Sequence, residues 1–329
     1  MSNDVLMART LLPADCIDLG IGEPHFLREV VSQTYNLDSF SFSGLPKIWE
    51  YAPPNGYGPL VKLLEEKYQA PVVLTVGAKH GIFAALHAVR QQGARSVAYR
   101  KPYWASFPFM MARAGLKSVT NSLKADAHLL VMPNNPDGFV LSEEKTADFC
   151  NTSVPIIHDA AYYTESYLPD DYKLTALGDM QVFSVSKMYG LSGLRLGWVV
   201  CHNPVYYSAL TSFVEATTAG ISTASQRVLL SILEADSADP ELRKSFSREM
   251  RDHLAWAHEK LLDLDPKVLT PKSSVGMFGW CKKGPRFDAV KAKVNVMDGA
   301  SFGDASMVRL SLAVSKTTLT SAVQRLNKM

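Results

Sequence analysis

"PVVLTVGAKHGIFAALHAVRQQG", residues 71–93, decides the fold. Its first part, "PVVLTVG" (71–77), is a short apolar, β-branched run closed by glycine, the pattern of a strand buried on both faces. The rest, 78–93, repeats Ile82, Phe83, Leu86 and Val89 at helical spacing before Gly93, which predicts a helix beginning where the strand stops. Five more runs share the texture of the first: "SVAYRKPYW" (96–104), "HLLVMPNNP" (128–136), "VPIIHDAAYY" (154–163), "VFSVSK" (182–187) and "LGWVVC" (196–201). Buried strands alternating with helices predict an α/β fold whose mostly parallel sheet is sandwiched by helices. Ligands of such sheets sit beyond the carboxyl ends of the strands, and Gly77, Asn135, Asp159 and Lys187 fall at those ends.

A chain of 329 residues exceeds the usual ~100 to 200 per domain, so a second, smaller unit is expected. After about residue 225 the texture changes to a charged amphipathic helical region, followed by a mixed segment with "SSVGMFGWCKKG" (273–284) and "MVRLSLAVS" (307–315) as strands. The expected division is a large domain over 40–225 and a smaller α+β domain formed by 1–39 and 226–329.

Composition removes several function classes. Thirty-four basic residues against thirty-two acidic ones leave a formal charge of +2 with no block of like charges, so no nucleic acid partner is expected. Cys16, Cys150, Cys201 and Cys281 are far apart and form no C-x-x-C pair, which predicts neither a metal site nor a disulfide framework and fits a reducing, cytoplasmic setting. No apolar run approaches the ~18 residues of a membrane span, and the start, "MSNDVLMARTLLPADC", lacks the basic-then-apolar pattern of a secretory leader. A nucleotide-binding dehydrogenase is disfavoured because no strand leads into G-x-G-x-x-G with an acidic residue ~20 positions on.

The candidate chemistry lies in "VFSVSKMYGLSGLRLGWVV" (182–200). A lysine amine becomes a useful nucleophile when burial or a neighbouring cation lowers its pKa; Lys187 follows an apolar run and shares its loop with Arg195, a permanent cation. An aldehyde bearing a phosphate suits both, with Ser184 and Ser186 as further phosphate donors, and pyridoxal 5′-phosphate is such a compound. That coenzyme needs a carboxylate at its ring nitrogen, a place Asp159 fits. Asn135 and Tyr162 suit its phenolic oxygen. Gly77, Ala78 and Lys79 open a helix whose backbone N–H groups suit a dianion, and Trp104 suits the ring face. Read singly, each residue also fits a turn, a helix cap or the core; their order along the chain is what joins them.

In that order the chain resembles the fold-type I pyridoxal-phosphate enzymes, specifically the class I and II aminotransferases. The resemblance rests on "GEP" (22–24), "YAPPNGYGPL" (51–60), "NNPDG" (134–138), "HDAAYY" (158–163), "SVSKMYGLSGLRLGW" (184–198) and "DGASFGDASMVRLSLA" (298–313). It implies a seven-stranded sheet in the large domain and an imine between Lys187 and the coenzyme. It further implies that Asp159 pairs with the ring nitrogen, that Asn135 and Tyr162 contact the ring hydroxyl, and that Trp104 stacks on the ring. Ala78, Lys79, Ser184, Ser186 and Arg195 would form the phosphate cup, and Tyr51 would reach the phosphate of a neighbouring subunit, which implies a homodimer with shared sites. Gly22, Asn135 and Arg309 would bind substrate, Arg309 gripping its α-carboxylate as a two-pronged pair. The implied reaction is ping-pong transamination between an amino acid and a 2-oxo acid. Asp137 stands where the family pattern has threonine, and "PNNPDG" (133–138) together with "HDAAYY" (158–163) and "APPNGYG" (52–58) resembles the alliinase and tryptophan-aminotransferase branch, so a carbon–sulfur lyase is the alternative reaction. A non-catalytic binding or regulatory protein on the same fold is the alternative from another class.

Overall fold

The structure is a computed structural model and describes residues 12–41, 43, 50–119, 124–150, 153–169 and 172–329. Most of the amino-terminal stretch read for a leader, 1–11, lies outside the described residues. Thirteen strands are found among the described residues: β1 (Ile17–Asp18), β2 (Val72–Thr75), β3 (Ser96–Tyr99), β4 (Lys117–Val119), β5 (Ala127–Val131), β6 (Ile156–Asp159), β7 (Met180–Ser184), β8 (Gly197–Cys201), β9 (Leu269–Pro271), β10 (Phe278–Lys283), β11 (Val294–Asn295), β12 (Met297–Asp298) and β13 (Met307–Ser311).

Seven of them form the large sheet, in the order β2-β8-β7-β6-β5-β3-β4. Every neighbouring pair is parallel except the two that involve β8, which runs against both β2 and β7. Strands β2, β6, β7 and β8 are buried along their whole length, which is why they read as unbroken apolar runs and not as alternating ones. The reversal of β8 places Arg195. Gly197, its first residue, lies opposite Thr75 and Ser184, the last residues of β2 and β7, so the chain enters β8 from the sheet's carboxyl edge with Arg195 two residues earlier.

The helix expected over 78–93 spans Gly77–Gln91 and buries Ile82, Leu86 and Val89 against the sheet. Phe83 is only partly buried and meets Phe213 of the helix Tyr207–Thr218 edge-on, with ring centroids 5.5 Å apart. The long helical region after 225 is two helices, Thr223–Ala238 and Pro240–Lys260, divided where the Asp239 carboxylate accepts the Glu241 N–H at 3.0 Å and Pro240 opens the next helix.

Strands β12-β13-β10-β9 form a second, antiparallel sheet, and β1 pairs in parallel with β11. Thus the amino-terminal segment docks on the carboxy-terminal part of the chain. The same segment also meets the lysine loop. Gly190 has φ +72, and a Cβ there would stand 2.6 Å from the backbone nitrogen of Arg28 in the helix His25–Thr34, so backbone packs on backbone with no space for a side chain.

Candidate active site

The carboxyl edge of the large sheet opens into a cavity of about 290 Å³ lined by Gly22, Ala78, Lys79, Trp104, Asn135, Asp159, Tyr162, Ser184, Ser186, Lys187, Arg195 and Arg309. Twelve residues read from the sequence meet there although they span positions 22 to 309. Tyr51 does not: it is 92% exposed and lies beside Gly220 and Ile221 at a separate shallow recess. A larger recess, about 620 Å³, lies among helices around Arg243 and is lined by none of these residues.

Lys187 sits in the single helical turn Val185–Met188 that follows β7. Its amine donates to the Gly22 carbonyl, and its own carbonyl accepts from the Tyr167 hydroxyl at 2.8 Å. Burial, reinforced by the Arg309 and Arg195 cations and opposed by Glu23 and Asp159, lowers its pKa from 10.5 to about 8. The amine therefore changes protonation near working pH, as a proton carrier must.

Asp159 ends β6 and is 4% exposed. Its carboxylate accepts the Ala161 N–H at 3.1 Å. Burial raises its pKa to about 7, against the Ala161 hydrogen bond and the Lys187 cation. A carboxylate held so far above its usual range gains greatly from a cation placed beside it, and a pyridinium nitrogen is one. Tyr162 is pushed well above the ordinary phenol range, chiefly by burial, so it stays a hydroxyl donor.

Arg195 lines the same cavity. Its Nη1 lies 3.5 Å from the Ser186 hydroxyl and 2.9 Å from the Ser192 carbonyl. A Cβ on Gly77 would come 3.1 Å from its Nη2, so the guanidinium lies directly against the start of the helix Gly77–Gln91. A guanidinium, a hydroxyl and the free N–H groups of a helix start together suit a dianion. Trp104 meets Phe107 edge-on at 5.5 Å, and the Lys79 amine lies 5.4 Å from the Trp104 ring.

Arg309 comes from the second sheet, on β13 opposite Trp280 of β10. It is 5% exposed and sandwiched by Phe278 and Phe302, at 4.1 and 4.9 Å from its Cζ. Nη1 donates to Asn135 Oδ1 at 3.0 Å and Nη2 to the Gly20 carbonyl at 2.8 Å. Nε is buried without a partner among the described residues. Burial lowers its pKa to about 10, which leaves it cationic at neutral pH, and a buried cation facing a cavity with unused donor capacity suits a carboxylate. The Asn135 amide also lies 3.4 Å from the Tyr162 hydroxyl, so one residue joins the guanidinium to the ring-hydroxyl site.

The donor set fits pyridoxal 5′-phosphate: Arg195, Ser186 and the start of the helix Gly77–Gln91 would suit its phosphate, Asp159 its ring nitrogen and Lys187 its aldehyde. Four participants escaped the sequence reading. Glu23 lines the cavity and accepts from the Ser192 hydroxyl at 3.3 Å; Tyr167 and the Gly20 carbonyl anchor the lysine and the arginine. Glu23 lies inside "GEP" and Ser192 inside the lysine stretch 182–200, so both carried a signal; Tyr167 carried none.

Comparison with known proteins gives the family. A model of the family described as "Aminotransferase class I and II" matches residues 14–326. A probable aspartate/prephenate aminotransferase of Aquifex aeolicus is 26% identical over 95% of this chain and 91% of its own length. A tryptophan aminotransferase-related protein of Oryza sativa is 31% identical over 54% of this chain and 37% of its own. Among solved structures, a tetra mutant of Thermus thermophilus aspartate aminotransferase superposes with a TM-score of 0.77 at 21% identity, covering 97% of this chain and 98% of that one. With the fold, the lysine loop and the receptor arginine in place, the chain belongs to the class I and II aminotransferases and is a pyridoxal-phosphate-dependent enzyme of transamination.

Proposed function

We propose that the residues of the 290 Å³ cavity divide the work of transamination as follows. Arg309, held between two aromatic rings and by Asn135, takes the α-carboxylate of an amino acid and fixes the Cα–H bond relative to the Lys187 amine. Once bound, pyridoxal phosphate supplies the electron sink that stabilises negative charge at the substrate's Cα. Lys187, poised near pH 8, removes the Cα proton and holds it for return. Asp159 keeps the ring nitrogen protonated; Asn135 and Tyr162 hold the ring hydroxyl; Trp104 covers the ring face. Ala78, Lys79, Ser184, Ser186 and Arg195 hold the phosphate, and Gly22 offers its backbone to substrate. The observation that carries this reading is the meeting of Lys187, Asp159 and Arg309, from different sheets and distant positions, in one cavity.

The test begins with purified holoenzyme, a panel of acidic, aromatic and aliphatic amino donors, and a common 2-oxo acid. Amino acid should bleach the coenzyme's band and oxo acid should restore it; bleaching without recovery, with thiol released from a cysteine derivative, would instead mean elimination. Arg309→Lys keeps the charge and loses the planar fork, so kcat/KM should fall roughly 100-fold, with the donor KM rising. An unchanged KM would remove Arg309 from the carboxylate site.

The same reading includes a cytoplasmic homodimer. Among the described residues no helix is long and apolar enough to cross a membrane. Tyr51, outside its own chain's cavity and fully presented to solvent, is available to a neighbouring subunit. Mixed dimers of a Lys187→Ala chain and a Tyr51→Phe chain should then contain one site carrying both lesions and one carrying neither. Recovery of about a quarter of parental activity or more on mixing is expected, on the order set by random pairing and two sites per dimer. A monomer in solution, or no recovery, would refute sharing.

A further inference from the structure

Asp137 stands where the family pattern has threonine, and it contributes nothing to the cavity wall. Its side chain is instead 14% exposed and fully engaged. One oxygen, Oδ1, accepts the Asn134 amide at 2.7 Å and the Phe139 N–H at 3.3 Å. The other, Oδ2, accepts the Arg100 guanidinium at 2.7 Å. Arg100 immediately follows β3, and its Cζ lies 4.2 Å from the centre of the Phe139 ring. Asn134 also donates to the Pro102 carbonyl at 2.9 Å.

These contacts join two loops. One leaves β3 through Arg100 and Pro102 and presents Trp104; the other leaves β5 through Asn134 and presents Asn135. Asn135 accepts from Arg309 and reaches Tyr162, so the position of its amide sets both the carboxylate receptor and the ring-hydroxyl contact. A threonine has a single hydroxyl. Its one neutral oxygen has two lone pairs, too few to accept the Asn134 amide and the Phe139 N–H while also pairing with a guanidinium on its other side. A carboxylate does all three.

We infer that Asp137 is a positioning residue which, through Arg100 and Asn134, locks the Trp104 and Asn135 loops into one register and thereby sets the grip of the site on both coenzyme and substrate carboxylate. The inference rests on the assignment of Asn135, Trp104 and Arg309 made above. Asp137→Asn is nearly isosteric and keeps an acceptor for Asn134 and Phe139 while presenting an amide to Arg100; Arg100→Met removes the other partner and keeps bulk over Phe139.

In the holoenzyme, each variant should speed coenzyme release and raise the amino-donor KM by about fivefold, a magnitude set by one half-exposed charged hydrogen bond, with kcat within about twofold of the parent. The double variant should equal either single one, because both remove the same contact. A purely structural pair would lower the melting temperature and leave KM and coenzyme release unchanged; values within twofold of the parent in both single variants, or effects that multiply in the double variant, would overturn the inference. Arg309→Lys, measured alongside, separates the two levels: if it raises KM and the clamp variants do not, the clamp fails alone, and if it does not, the assignment of the site fails.

Discussion

Replacing Lys187 by alanine is expected to lower the transamination rate by at least about 10⁴-fold, since in the proposed mechanism one side chain supplies both the coenzyme's covalent anchor and the proton carrier. Borohydride should fix the coenzyme to the parent chain and leave the variant unlabelled. Retention of more than about 1% of the parental rate would place the proton transfer elsewhere. The parent carries an internal check. With its pKa near 8, the amine of the coenzyme-free protein is protonated and inert below that pH and nucleophilic above it. Labelling of Lys187 by an amine-selective reagent, followed by peptide mapping, should rise through a midpoint near pH 8; a midpoint near that of a free lysine would contradict the buried, cation-flanked setting. Burial is the larger cause and the Arg309 cation the second, so Arg309→Met should move the midpoint upward.

Asp159→Asn should produce opposite effects on stability and catalysis. Its carboxyl is raised from 3.8 to about 7 in the folded protein, so between those values the folded chain holds a proton that the unfolded chain has released. Its contribution is complete below pH 3.8 and is lost as pH rises through 7, where the ionised group sits buried without a full partner. The coenzyme-free Asn variant is spared that loss. It should be more stable than the parent at pH 8, by about 4 kcal/mol at most, and melt at nearly the parent's temperature near pH 4. The holoenzyme should show the reverse, because only the carboxylate attracts a protonated ring nitrogen, and kcat should fall roughly 10³-fold. A coenzyme-free variant no more stable than the parent at pH 8 would mean that Asp159 is not held in an apolar setting.

The sequence was most informative where chemistry is local. Strand ends, glycine-led helix starts and the lysine loop are written in contiguous residues, so Asn135, Asp159, Lys187 and the helix after Gly77 could be placed from patterns alone. The strands themselves proved shorter than their runs: "SVAYRKPYW" pairs only over Ser96–Tyr99, ahead of Arg100, Lys101 and Pro102, and "VPIIHDAAYY" only over Ile156–Asp159, where "AAYY" continues the apolar texture without continuing the ladder. The direction of β8 was not legible, since a fully buried strand reads alike from either end. The surroundings of Arg309 were equally hidden. Phe278, Phe302 and the Gly20 carbonyl reach it through sheet register and chain docking, and no spacing rule links position 20 to position 309.

That docking gives Gly190 an importance out of proportion to its size. Because the missing side chain lets the lysine loop rest on the backbone of Arg28, the segment carrying Gly20 and Gly22 is keyed to the loop that carries Lys187. The amine and the guanidinium thus take their bearings from one shared rail, two residues of backbone apart. Any displacement of that rail disturbs the hold on the Lys187 amine and on the Arg309 guanidinium at once, although Lys187 itself stays fixed to the large sheet behind β7.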